Sequence, residues 1–229
     1  MKKQRIMEVY PRVYQVGGNG LSHGDDCCIY LVDGGSSAAI IDCGAGTSTN
    51  RITDNIQAAG FDIGAIDTII VTHGHIDHIG GLYFLQHALR SRTYAHELEL
   101  PAVKDGRPEL TAAGWYGVTY RPGEVHEVLS GAAGTITVGE VKLHWLHTPG
   151  HTPGGISLYA DIEGARILFG QDIHGPFDTS WGSDMDHWRA SMMRLLDLNA
   201  DILCEGHFGV IAPGQEVKDY IEGYLRNYK

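Results

Sequence analysis

Short apolar runs bounded by glycine, asparagine or aspartate recur along this chain, and segments with apolar residues every third or fourth position fall between some of them. The short runs read as strands and the longer periodic segments as helices. Residues 8–16 predict a first strand, interrupted by Pro11, which suits a sheet edge. Gly17-Gly18-Asn19-Gly20 then turns the chain. Residues 26–32 and 38–41 predict short buried strands around the turn Asp33-Gly34-Gly35. Ser48 and Thr49 predict the cap of a helix whose inner face carries Ile52, Ile56 and Ala59 and which Gly60 closes. A strand over 67–72 is followed by a helix over 80–90, with Leu82, Leu85 and Leu89 at helical spacing.

The pattern weakens over 91–135. Residues 92–95 read as a strand and 97–103 as a short helix. The aromatic, Gly-rich stretch Trp115 to Gly123 reads either as a packed surface loop or as a substrate-contacting loop. Strand signals resume at 135–138, 141–146, 156–160 and 165–169. A helix over 184–198 presents Met185, Trp188, Met192, Leu195 and Leu196. Residues 202–204 form another strand, and a C-terminal helix from about Pro213 carries an apolar stripe of Val217, Tyr220, Ile221, Tyr224, Leu225 and Tyr228.

Two stretches of this pattern match. A strand ends at Asp42, a helix follows, and the next strand ends at His73; later a strand ends at Asp172, a helix follows, and the next strand ends at His207. The chain therefore reads as a diverged duplication of strand-Asp-helix-strand-His. Two sheets packed face to face with helices outside, a four-layer αββα sandwich of the α/β class, would bring both sets of strand ends to one edge. Residues 1–229 are expected to form one domain, since 229 residues suffice for a single large core.

Composition adds exclusions. With 43% hydrophobic and 20% charged residues the chain is of ordinary globular type. A net charge of −11 argues against nucleic acid or an acidic membrane surface as a partner. No apolar run of about 18 residues suggests a membrane span, and no apolar stretch of about 7–15 residues follows the basic start as in an export signal. Cys27, Cys28, Cys43 and Cys204 form no C-x-x-C pair and read as reduced thiols, so a cytoplasmic location is expected. Cys27 and Cys28 would point to opposite faces of a strand. Homodimerisation stays open.

The chemistry concentrates in His73-Gly74-His75-Ile76-Asp77-His78, directly after a strand. Imidazole and carboxylate are ligands for borderline divalent metals, zinc first. The spacing is too tight for all four groups to converge on one ion, so two adjacent ions are expected, with His73 and His75 serving one and Asp77 and His78 the other. His151, Asp172 and His207 each lie at or just past a strand end and complete a constellation.

These residues together, with His151 in a Gly-His-Thr-Pro-Gly setting, resemble the metallo-β-lactamase fold superfamily, in particular its glyoxalase II-like and lactonase-like hydrolases. The resemblance spans Asp26 to His207. It implies His73, His75 and His151 on a first metal, Asp77, His78 and His207 on a second, and Asp172 bridging them. It implies two divalent ions, zinc first with iron or manganese as alternatives, and Asp42 holding a ligand loop or orienting a ligand imidazole. It also implies attack on an ester-like bond of a small-molecule thioester or lactone by hydroxide held between the ions. Asp77 is the catalytic side chain expected to orient that hydroxide or pass on its proton. The alternatives are a mononuclear iron oxidoreductase of persulfide dioxygenase type and a phosphodiester nuclease. Flavin-partnered di-iron members carry Glu at the position of His75, which speaks against that class. Glyoxalase II proteins typically have a helical C-terminal domain for glutathione, whereas 22 residues follow His207 here. Trp115, Tyr116, Tyr120, His174 and Trp181 are the candidate substrate contacts. His147 is expected to pack within its loop, and His23, His87, His96, His126, His144 and His187 to be surface or packing residues.

Overall fold

The computed structural model describes residues 7–228. The first of its two sheets joins β1 (Met7–Tyr10), β2 (Val13–Gly17), β3 (Ile29–Asp33), β4 (Ala38–Ile41), β5 (Ile66–Ile70), β6 (Arg92–His96) and β7 (Glu127–Leu129), side by side in chain order. The second joins β8 (Ala133–Val138), β9 (Val141–His147), β10 (Ile156–Ile162), β11 (Ala165–Gln171), β12 (Ile202–Glu205) and β13 (Val210–Ile211), also in chain order. Helices α1 (Thr49–Ala58), α2 (Ile76–Ile79), α3 (Leu82–Leu89), α4 (Leu100–Val103) and α5 (Ala113–Tyr116) accompany the first sheet in sequence. Helices α6 (Met185–Asp197) and α7 (Gly214–Asn227) accompany the second.

Strand alternation explains the layering. Tyr30, Val32, Ala39 and Ile41 face one way, toward Leu143, Trp145, Leu158, Ile167, Phe169 and Cys204 of the other sheet. Their neighbours Ile29, Leu31 and Ile40 face outward and are covered by Ile52 and Ile56 of α1 and by Leu82, Leu85 and Leu89 of α3. On the far side Leu168 and Leu203 are covered by Trp188, Met192 and Leu195 of α6 and Val217 and Ile221 of α7. Helix, sheet, sheet, helix is the expected αββα sandwich. Cys27 lies in the outer layer and Cys28 in the inner one, as adjacent residues of an extended segment should. All four cysteines are buried free thiols.

The duplication is visible in the pairing. β1 to β4 form an antiparallel series, and β4 then pairs parallel with β5 across the α1 crossover. β8 to β11 repeat the antiparallel series, and β11 pairs parallel with β12 across the α6 crossover. A parallel neighbour requires such a crossover, and the two parallel strands then end at the same edge.

Three expectations need correction. The single strand over 8–16 is a hairpin of two strands, because Pro11 and Arg12 form its turn and Arg12 takes a left-handed φ of 69°. The helix over 80–90 is observed as α3, and a separate turn before it, α2, carries Asp77 and His78. Ser48 stands at the N-cap of α1 but makes no side-chain capping bond; its hydroxyl is drawn instead to the buried carboxylate of Asp26, which also accepts Ala45 N–H at 2.8 Å. Residues 97–103 divide into a 3₁₀ turn, Glu97–Glu99, and α4. Among the described residues no helix is long and apolar enough to cross a membrane.

Phe169 is fully buried between the sheets, edge-on to Tyr30 with ring centroids 5.8 Å apart. Phe169→Ala is expected to cost about 3–5 kcal/mol in denaturant unfolding, whereas Met193→Ala on the exposed face of α6 should stay within about 0.5 kcal/mol.

Candidate metal centre

The two parallel strand pairs deliver their C-terminal ends to one edge of the sandwich, where ligands bind in open α/β sheets. β4 ends before Asp42 and β5 before His73; β11 ends before Asp172 and β12 before His207. The loop after β9 supplies His151. One metal-ligating atom from each of His73, His75 and His151 forms a group whose members all lie within 4.8 Å, and Asp77, His78, Asp172 and His207 form a second. Each group takes residues from both halves of the chain.

Asp172 lies between the groups. Its Oδ2 is 3.8 Å from His73 Nε2, 3.6 Å from His151 Nε2 and 3.2 Å from His207 Nε2, and its Oδ1 is 3.2 Å from His78 Nε2. Asp77 Oδ2 is 3.2 Å from His207 Nε2 and 3.5 Å from His78 Nε2. His75 Nδ1 and His151 Nε2 are 2.8 Å apart.

Neighbouring groups fix the imidazole orientations. Asp42, fully buried at a left-handed φ of 65°, accepts Thr72 N–H at 2.8 Å and Thr72 Oγ1–H at 2.7 Å. The same carboxylate is 2.7 Å from His78 Nδ1, so that nitrogen donates and Nε2 faces the carboxylates of Asp77 and Asp172. His151 Nδ1 lies 2.7 Å from the Pro176 carbonyl, which turns its Nε2 inward in the same way. The backbone N–H groups of His207 and Phe208 donate to Glu205 Oε2 at 2.7 and 2.9 Å. Glu205 is fully buried, and its other oxygen is 2.7 Å from His174 Nδ1.

The electrostatics differ between the groups. Burial lowers the basicity of His73 well below that of a free imidazole, and neighbouring His78 adds to the effect. Burial and His151 do the same to His75, and burial lowers His151. His78 goes the other way: burial opposes its charge, yet Cys27, Asp172, Asp77 and Asp42 together hold it well above the usual value. Against the same burial cost, Asp172 is the main group that pushes His207 up to about 10. Asp77 and Asp172 are held low, against burial, chiefly by His78 and also by His207. The first group is thus neutral imidazole, the form that ligates, whereas in the second the carboxylates make the imidazoles more basic, so that an ion bound there would displace a proton.

Whether this donor set suits a metal can be tested on its orphaned atoms. His73 Nε2, His75 Nε2, His78 Nε2 and Asp172 Oδ1 are buried without a hydrogen-bond partner. Buried polar atoms are nearly always paired, and several unpaired ones at one place call for an ion or water. Nitrogen and carboxylate donors in this proportion suit a borderline divalent ion. The residues fit.

A cleft of about 210 Å³ opens over both groups, lined by His75, Asp77, His151, Asp172 and His207 and by Trp115, Tyr116, His174 and Trp181. Trp115, 65% exposed, stands edge-on to Trp181 at 4.8 Å, and Trp181 is edge-on to His75 at 4.8 Å. Tyr120 does not belong to this wall. It is buried with the outer helices of the first sheet, and its hydroxyl donates to the Val103 carbonyl at 2.9 Å, so its expected substrate contact is corrected to a packing role. His147 packs within its own loop, bonded through Nε2 to the Pro153 carbonyl at 2.9 Å and stacked on His96. Glu205 was missed in the sequence; an acid two residues before His207 at a buried strand end was the available signal.

The family model for the metallo-beta-lactamase superfamily matches residues 24–207. The chain belongs to that superfamily. An uncharacterised protein of Aquifex aeolicus is 30% identical over 200 residues, covering 83% of this chain and 88% of that protein. The probable metallo-hydrolase YflN of Bacillus subtilis is 28% identical over 203 residues, 75% of each chain. Among solved structures the Rm3 metallo-beta-lactamase superposes with a TM-score of 0.81 at 24% identity, covering 97% of this chain and 91% of that one, a likeness of fold. Superfamily membership and a histidine–aspartate cluster of this composition make the protein a metal-dependent hydrolase.

Removing the carboxylate that orients His78 tests the arrangement. Asp42→Ala is expected to weaken divalent-metal retention about 10–100-fold, read by competition with a chromogenic chelator.

Proposed function

We propose that the protein is a dinuclear hydrolase of ester-like bonds in small neutral substrates, lactones or thioesters, in the manner of the glyoxalase II-like and lactonase-like members of its superfamily. The observation that carries this reading is the Asp172 carboxylate, which lies between the groups: Oδ2 is near His73 and His151 of the first and His207 of the second, and Oδ1 is near His78 of the second. One carboxylate between two ligand groups is what a pair of ions sharing a ligand requires. His73, His75 and His151 would hold the first ion and Asp77, His78 and His207 the second, with zinc the best match to the donors.

When bound, such a pair of ions lowers the pKa of water toward about 7 and polarises an acyl oxygen. The chain's own residues supply the rest. Asp77 Oδ2, held at the floor of the cleft beside His207 and below Tyr116, is placed to accept a proton from the attacking water and return it to the leaving oxygen or sulfur. Trp115, backed by the buried Trp181, offers apolar surface to the body of the substrate, and Tyr116 offers a phenol beside Asp77. Burial pushes that phenol's pKa upward, which keeps it a hydrogen-bond donor.

Among the described residues the lining includes no lysine or arginine. A substrate carboxylate, as in a β-lactam or in glutathione, would therefore find positive charge only at the metal centre itself and no side-chain clamp on the wall, which favours a neutral acyl substrate. The mononuclear iron reading and the nuclease reading have no comparable feature in their favour.

The zinc-loaded protein is expected to contain two ions per chain by elemental analysis and to hydrolyse neutral lactones or thioesters. Chelation should abolish the activity, and zinc or manganese should restore it. Asp77→Asn should lower kcat at least about 100-fold. One iron per chain together with oxygen uptake on a persulfide would overturn the assignment.

A further inference from the structure

Besides Asp42 and Glu205, a third buried carboxylate near the centre belongs to neither ligand group. Glu99 ends the 3₁₀ turn that follows β6 and is 3% exposed. Its Oε2 accepts the N–H of Gly74 at 2.8 Å. Its Oε1 accepts Thr152 Oγ1–H and the N–H of Gly154, both at 2.7 Å. Two amides and a hydroxyl aimed at one carboxyl group suit its ionised form, which accepts at both oxygens.

The partners are what make Glu99 informative. Gly74 lies between His73 and His75, and Thr152 follows His151. One side chain therefore ties the first-half loop that carries two histidines to the second-half loop that carries the third. Space has been left for it on both sides. A Cβ on Gly74 would stand 2.8 Å from Glu99 Oε2 and 2.4 Å from Ala102 Cβ, and a Cβ on Gly154 would stand 2.8 Å from Glu99 Cγ. Glycine at both positions permits the close approach. Glu205 has the corresponding place under the second group, where it holds the His207 loop through two backbone amides.

We propose that Glu99 is the positioning residue of the first metal group, a clamp that sets the separation of His75 and His151 without touching ion or substrate. The inference rests on the two-ion reading above. Tied together by the clamp, the two loops bring the nitrogens of His75 and His151 toward a common point; released, each loop relaxes onto its own half, and that group loses its geometry while the second, anchored by Glu205, keeps its own.

The test is zinc titration against a competing chelator on the purified full chain, with circular dichroism to verify folding. His151→Ala and His207→Ala identify which binding step belongs to which group. Glu99→Gln keeps the volume but turns an amide N–H₂ toward at least one of the donors. It is expected to weaken the His151-dependent step about 10–100-fold and leave the His207-dependent step unchanged. Glu205→Gln should show the reverse. A folded Glu99→Gln protein with both steps as in the wild type, or with both weakened equally, overturns the proposal. Should Glu99→Gln not fold, Thr152→Val decides: removal of one of three donors should weaken the same step about fivefold, and wild-type affinity overturns the clamp. A wild-type chain that holds a single ion overturns the two-ion reading instead. Glu99 is then judged by that ion's affinity in Glu99→Gln, with wild-type affinity again counting against it.

Discussion

The apolar seam between the two sheets is the constraint on which the centre depends. Each ligand group draws from both halves: His73 and His75 need His151, and Asp77 and His78 need Asp172 and His207. Neither half can assemble a group alone. The spacing of the strand ends is set by Tyr30, Ile41, Phe169, Leu158 and their neighbours packing between the sheets, about 10 Å apart in such sandwiches. A change of packing there is transmitted to the ligands, because close-packed interiors pass strain on rather than absorb it. Metal binding and sheet docking are therefore linked equilibria.

Burial sharpens the chemistry of the same edge. In the first group it strips charge from three imidazoles, and in the second it is overcome by the mutual attraction of Asp77, Asp172, His78 and His207. The same enclosure makes the orientation of each ring matter. Asp42 and the Pro176 carbonyl each settle one tautomer, Asp42 from a fully buried position and Pro176 from the exposed rim.

Much of this was legible in the residues. Alternation and helical spacing located most strands and the two crossover helices, and the matched strand-Asp-helix-strand-His pattern reappears as matched pairing directions. Other features had no local signal. β7 and β13 are three and two residues long, too short for any period, and exist because a neighbouring strand offers an edge. Ser48 has the right residue type and place for a cap, yet Asp26 competes for its hydroxyl from a distant loop. Tyr120 shares the composition of Trp115 and Tyr116 but is turned inward by Val103. Glu97 and Glu99 look alike in sequence, and only the approach of the Gly74 and Thr152 loops separates them.

The wall of the cleft is built differently from its floor. The candidate ligands sit at strand ends and on the short loops and turn that follow them, held by the core, whereas Trp115 and Tyr116 stand on the long connection between the parallel strands β6 and β7. A connection of that kind can gain or lose residues at a cost that grows only as the logarithm of its length. Specificity can therefore drift in evolution while the reaction stays constant: lineages can exchange the wall piece by piece, and the bond-breaking apparatus beneath is inherited unchanged.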